Sequence, residues 1–183
     1  PAGPFVPYNK YFGNAPVLIN AEENIWAYKP VFDFSKMDES HPLYEAASDG
    51  YMKVIDLSPF VDPVSGQKYV YFCHDVSSSL GVANSGIYMM KLGSDYTPDY
   101  SSVTALTVAE SALGEGAVNE APCMLYNEQS EKYYLLYSAN KYYQQSYCVR
   151  VAVADSPDGP FTKLTETEGG YLLYGTDQMT GTG

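Results

Sequence analysis

The 183-residue sequence predicts an all-β fold, and three observations carry that prediction. Tyrosine is the compositional outlier, at 19 residues beside 7 phenylalanines and 1 tryptophan, and Tyr favours half-buried positions on a pleated sheet. Runs rich in β-branched and aromatic residues recur along the chain, separated by clusters of Gly, Pro, Asn, Asp and Ser. Helical periodicity is almost absent: residues 39–47 offer a turn or two, but Pro42 interrupts them and no amphipathic stripe forms.

Taken in order, residues 15–20 and 25–34 are apolar runs of strand type and give the first two predicted strands. Strands at 51–56 and 68–74 flank Asp62-Pro63-Val64-Ser65-Gly66, whose Asp-Pro-x-x-Gly pattern is turn chemistry. Strands at 86–92 and 103–108 follow. Those at 121–126 and 132–138 flank the hairpin loop Asn127-Glu128-Gln129-Ser130. A strand at 147–154 stops at Asp155-Ser156-Pro157-Asp158-Gly159-Pro160, and residues 171–174 supply the last.

These strands repeat. The step along the chain from Asp56 to Glu120 is nearly kept by the hairpins at 60–73 and 123–137, and by the runs at 87–92 and 149–154. Pro1-Ala2-Gly3-Pro4-Phe5 also echoes Pro157-Asp158-Gly159-Pro160-Phe161. Units of four strands with their loops, recurring at this step, suggest the blades of a β-propeller, whereas a β-sandwich predicts no such residue-level repeat. On that reading 183 residues hold roughly three blades, and a propeller needs at least about four to close its ring. Residues 1–183 are therefore expected to form one partial propeller domain, completed by missing blades of the same propeller.

Composition narrows the function. A formal net charge of −12, with only ten Lys plus Arg, argues against nucleic acid, anionic membranes and polyanionic substrates, and leaves neutral carbohydrate compatible. Cys73, Cys123 and Cys148 make no disulfide framework, and Cys73 and Cys148 sit in apolar runs as buried free thiols do. With only His41 and His74 besides, no zinc site is expected. No run approaches the roughly 18 apolar residues of a membrane span. The chain starts Pro1-Ala2-Gly3-Pro4, without initiator Met or signal peptide, so either its start was removed or it is a piece of something longer, and secreted or cytoplasmic location stays open.

Each blade-like unit brings an acidic residue to the mouth of a strand: Asp56 in Val54-Ile55-Asp56-Leu57 and Glu120 in Val118-Asn119-Glu120-Ala121-Pro122. Two carboxyl groups held by repeated strands suit acid/base work on a sugar. At these residues the chain resembles glycoside hydrolase family 43, the five-bladed propeller enzymes acting on arabinans and xylans. Ile55-Asp56 with Phe60-Val61-Asp62 is similar to the family's I-D-x-x-x-F-x-D segment. Asn119-Glu120-Ala121-Pro122 is similar to its E-G-P segment, with Ala121 in place of the commoner Gly. Residues 132–140, Lys-Tyr-Tyr-Leu-Leu-Tyr-Ser-Ala-Asn, and residues 152–161, Ala-Val-Ala-Asp-Ser-Pro-Asp-Gly-Pro-Phe, match two further segments, so the likeness spans at least 51–164 in the right order.

The resemblance implies inverting hydrolysis of α-L-arabinofuranosyl or β-D-xylosyl linkages, with Glu120 as general acid and Asp56 as the modulator of its pKa. A neighbouring ionised Asp disfavours ionisation of the Glu, which keeps an acid protonated near neutral pH. The family's base Asp belongs to a first blade for which no Asp before Asp56 has the context: Asp33 lies in an apolar run, and Asp38 and Asp49 in a polar loop. The first-blade base region and the C-terminal blade are thus expected outside this chain, and the chain alone is expected to be inactive. Asn119, Ser138, His74 and Tyr142 are the candidate substrate-binding residues. Capping or ladder roles account equally well for Asn119 and Ser138, and a structural role accounts better for His74. Asp62 reads as a turn residue and Trp26 as core. No cofactor is required, no metal ligand set is assigned, and the family allows a calcium ion in the central channel. Two alternatives stay open: a retaining propeller glycosidase of the fructan-cleaving kind, and a non-catalytic carbohydrate-binding propeller.

Overall fold

A computed structural model describes residues 17–20, 25–27, 37–41, 54–74, 85–116 and 118–174. The chain divides into two units, residues 1–33 and 34–183. In the first, β1 (Val17–Asn20) pairs antiparallel with β2 (Ile25–Ala27), in the register Val17↔Ala27 and Leu18↔Trp26. The remainder of the predicted 25–34 strand, and residues 51–53 of the next, lie outside the described residues.

The second unit holds two sheets built alike. One has the order β3 (Val54–Val61), β4 (Lys68–His74), β5 (Gly86–Leu92), β6 (Pro98–Val108), all antiparallel neighbours. The other runs β7 (Asn119–Asn127), β8 (Lys132–Ala139), β9 (Cys148–Ala154). On the far edge of β9 lie both β10 (Thr162–Lys163) and β11 (Tyr171–Tyr174). Successive up-and-down sheets of this kind are propeller blades. The fold is all-β, and among the described residues no helix is long and apolar enough to cross a membrane.

The fourth strand of the second blade is one strand interrupted. Leu164 N–H donates to Val151 O and Val151 N–H to Gly170 O, so residues 165–169 loop out between two pieces that share a partner. A Thr165 capping box closes this loop, and Gly170 ends it where a Cβ would stand 2.0 Å from Leu164 O. β10 has no strand signal in the sequence because two residues carry no period.

Central strands are buried almost throughout, with Tyr71, Phe72, Ile87, Met90, Leu135 and Tyr137 among the most enclosed side chains. Tyrosines bind one blade to the other, because the ring adds apolar area while the hydroxyl finds a partner. Tyr71 Oη donates to Pro157 O at 2.8 Å and Tyr133 Oη to Asp62 Oδ1 at 2.7 Å. Phe60 packs against both rings, and the Lys91–Asp158 ion pair at 2.8 Å adds a third link. Cys73 and Cys148 are buried thiols, and Cys123 is exposed.

Register corrects the repeat. Ile55 pairs with Cys73 as Glu120 pairs with Ser138, so the first two strands of the blades recur one position out of step with the acidic residues. Cys73 also faces Ile87, as Ser138 faces Val149, so the third strands recur at a shorter step than the first two. The structural equivalent of Asp56 is therefore Ala121, and that of Glu120 is Ile55.

Candidate active site at the blade entrances

Each innermost strand begins with the same irregularity. Between Ile55↔Cys73 and Ser58↔Tyr71, two residues of β3 oppose one of β4; between Glu120↔Ser138 and Cys123↔Leu136, two residues of β7 oppose one of β8. A bulge of this kind bends a strand and re-aims its side chains, and bulges are common beside active sites. The first bulge residue is left-handed in both blades, with φ 55° at Asp56 and φ 52° at Ala121. Asp tolerates that conformation because its short polar side chain bonds locally; Ala carries a Cβ penalty that Gly would not.

The two bulges meet. Asp56 Oδ2 accepts the Ala121 N–H at 3.0 Å, across 65 residues of sequence. Its carboxylate thus grips the backbone immediately after Glu120. Asp56 is exposed and Glu120 half-buried, so both stay open to a ligand. Tyr147 Oη donates to Glu120 Oε1 at 3.4 Å. Tyr147 was no sequence candidate; it opens the predicted 147–154 strand, and nothing local links it to position 120.

Beneath the entrance lies a buried polar cluster. Glu115 accepts from Lys163 Nζ, from Tyr137 Oη at 2.7 Å and from Glu110 N–H at 2.9 Å, with Arg150 Nε 3.6 Å away. Burial alone would push the Glu115 carboxyl up, but the hydrogen bonds from Lys163 and Tyr137 hold it below its ordinary value. Burial, then the bond to Glu115, pushes the Tyr137 hydroxyl up. Arg150 donates to Leu113 O and to Leu164 O, and stacks over the Tyr171 ring at 4.4 Å.

Asn119 belongs to this cluster. Its side chain is 0% exposed, accepts from Thr107 Oγ1 at 3.1 Å and Lys163 Nζ at 3.0 Å, and donates to Val118 O at 2.9 Å. Ser138 is buried opposite Glu120 in the ladder. His74 is buried at the end of β4, edge-on to Tyr88 at 5.5 Å. Tyr142 is instead 80% exposed, on the loop that ends at Tyr147. Asp62 is a turn residue, accepting from Val64 N–H and Ser65 N–H, both at 3.1 Å, and additionally from Tyr133. Asp38 accepts from Ser40 N–H at 2.8 Å; Asp33 and Asp49 lie outside the described residues.

Among the described residues no group of three or more His, Cys, Asp or Glu side chains is arranged to hold a metal ion, so no calcium ligand is assigned.

The family model for glycosyl hydrolases family 43 matches residues 15–170. The chain is similar in structure to an endo-1,4-β-xylanase from Bacteroides thetaiotaomicron, at 31% identity and TM-score 0.52, over 62% of this chain and 37% of that one. It is similar to a thermostable family-43 glycoside hydrolase at 29% identity and TM-score 0.57, over 70% of this chain and 41% of that one. An endo-arabinase from Bacteroides thetaiotaomicron, at 23% identity and TM-score 0.53 over 68% and 44%, shares the fold. The chain spans less than half the length of these structures. No curated protein matches it.

Proposed function

Because the chain belongs to glycosyl hydrolases family 43, we propose that it carries part of the catalytic centre of an inverting glycosidase. The linkages are α-L-arabinofuranosyl or β-D-xylosyl, in plant polysaccharides or oligosaccharides. Glu120 is the general acid, protonating the leaving oxygen, and Asp56 is the modulator that tunes and holds it. The observation that carries this reading is the Asp56–Ala121 bond, which ties the two carboxyl-bearing bulges of neighbouring blades together. Tyr147 supports it by holding one oxygen of Glu120.

An inverting reaction also needs a base that activates water, about 6.5–9.5 Å from the acid. That Asp lies outside this chain in the proposal. Exposed Leu125, Leu172 and Leu173 support further blades packing on these sheets, since apolar side chains on sheet faces gain by being covered. Asn119, Ser138, His74 and Tyr142 remain proposed substrate-side residues, with Tyr142 alone among them open to a ligand.

The test uses the full-length protein with arabino- and xylo-oligosaccharides. Glu120→Gln lowers turnover by about 10²–10⁴-fold, the usual contribution of a general acid, and spares an activated aryl glycoside whose leaving group needs no proton. Asp56→Asn keeps an acceptor for the Ala121 N–H but loses the charge, so folding persists while turnover falls and the pH–rate profile moves. Undiminished oligosaccharide hydrolysis by Glu120→Gln would sink the assignment. A protein that binds sugar with or without Glu120 and never hydrolyses it would instead be a carbohydrate-binding propeller.

A further inference from the structure

Loop 140–147 joins β8 to β9 at the end of the sheet that carries Glu120, because Asn119 pairs with Ala139 and Ala139 with Cys148. The loop is fixed by its own bonds. Asn140, left-handed at φ 71°, accepts the Gly116 N–H and donates from Nδ2 to Ser146 O at 2.7 Å. Gln144 N–H donates to Lys141 O at 2.8 Å, and Tyr147 N–H to Gln144 O at 3.0 Å. On this frame stand Tyr142 and Tyr143, 80% and 66% exposed, with ring centroids 5.3 Å apart and planes at 89°.

Tyr69, Tyr71, Tyr88, Tyr133 and Tyr137 spend their rings in the core. Two adjacent rings left in water on a pre-organised loop forgo that gain, which points to a use for the exposed faces. Their perpendicular planes make a corner. Such a corner suits a neutral sugar: one ring covers its C–H face, the second abuts its edge, and the phenol hydroxyls bond at the rim. The formal net charge of −12 disfavours an anionic occupant. Two side chains also offer far less than the roughly 800 Å² per partner of a stable protein interface.

The same loop ends in Tyr147, whose hydroxyl reaches Glu120. A general acid delivers its proton to the oxygen of the departing sugar, so surfaces continuous with the acid lie on the leaving-group side. We propose that Tyr142 and Tyr143 form a subsite for a leaving-group sugar of a neutral pentose oligosaccharide. Its position relative to the cleaved bond rests on the reading of Glu120 as the acid; its existence as a sugar-binding corner does not.

The experiment titrates the full-length protein, made inactive by Glu120→Gln, with xylohexaose and with arabinohexaose, following backbone amide NMR shifts and tyrosine fluorescence. The expected result is perturbation that includes residues 140–147 by at least one of the two. Tyr142→Ala and Tyr143→Ala should each weaken binding about two- to ten-fold, the range of a lost aromatic contact, with unchanged melting temperature because both rings are exposed. The proposal is overturned if neither saccharide binds, if the Tyr142→Ala/Tyr143→Ala double variant binds undiminished, or if that variant changes only self-association in sedimentation. Failure of the Glu120 assignment shows separately, as retained hydrolysis by Glu120→Gln in the full-length protein.

Discussion

Ala121 holds φ 52° beside the candidate acid, in the bulge where Asp56 holds φ 55° in the preceding blade. An L-residue with a Cβ costs roughly 1–2 kcal/mol there, which Asp56 offsets in part with its bond to the Ala121 N–H. Glycine would remove the penalty while adding about 0.4–1 kcal/mol of unfolded-state entropy. Ala121→Gly is therefore expected to stabilise the chain by about 0.5–1 kcal/mol, read as a higher urea midpoint at unchanged slope; a lower midpoint would contradict the strain. The family's commoner Gly has this physical reason. The sequence showed an Ala in a Gly position but not the φ that makes the difference matter.

The β3–β4 hairpin shows how one turn serves two blades. Asp62 closes the turn through Val64 and Ser65 and also takes the Tyr133 hydroxyl from the second blade. Burial raises its carboxyl pKa, yet the hydrogen bonds from Ser65, Tyr133 and the turn N–H groups outweigh this and hold it below its ordinary 3.8. A carboxyl lowered on folding stabilises fully above its unfolded value and loses that contribution as pH falls through the lower folded one. The chain should thus lose stability as pH drops below about 4, and Asp62→Asn should be less stable at neutral pH with a shallower acid decline. Parallel acid curves for the two in urea denaturation would refute this. Asp-Pro-x-x-Gly made the turn legible from sequence; the Tyr133 partner, 71 residues away, was not.

For the whole molecule, the chain spans 37% and 41% of two solved structures it resembles, and two blades are described within it. With the proposed acid and modulator present and the base elsewhere, the purified 183-residue chain should release no product from arabino- or xylo-oligosaccharides in a chromatographic assay. Robust turnover would place the base within these residues. What joins the blades is largely side chain to backbone or side chain to side chain: Tyr71 to Pro157, Tyr133 to Asp62, Lys91 to Asp158. The Glu115–Lys163–Arg150 cluster anchors the connection between the blades behind the entrance.

Sequence by itself determined the all-β class, the strands at 68–74, 86–92 and 171–174 to the residue, and the two acidic strand entrances. Those follow from local propensity, turn residues and a repeat period, all of which are written along the chain. Only the tertiary structure decided that the strand ladders recur one position out of step with the acidic residues, which sets Asp56 against Ala121 and not against Glu120. Both blades carry the same bulge, but Asp56 is its first residue and Glu120 stands one residue before it, a difference that shows only once the strand pairing is known. Likewise the Asp56–Ala121, Tyr147–Glu120 and Lys163–Asn119 contacts join positions far apart in the chain, and such pairs exist only once the sheets have packed.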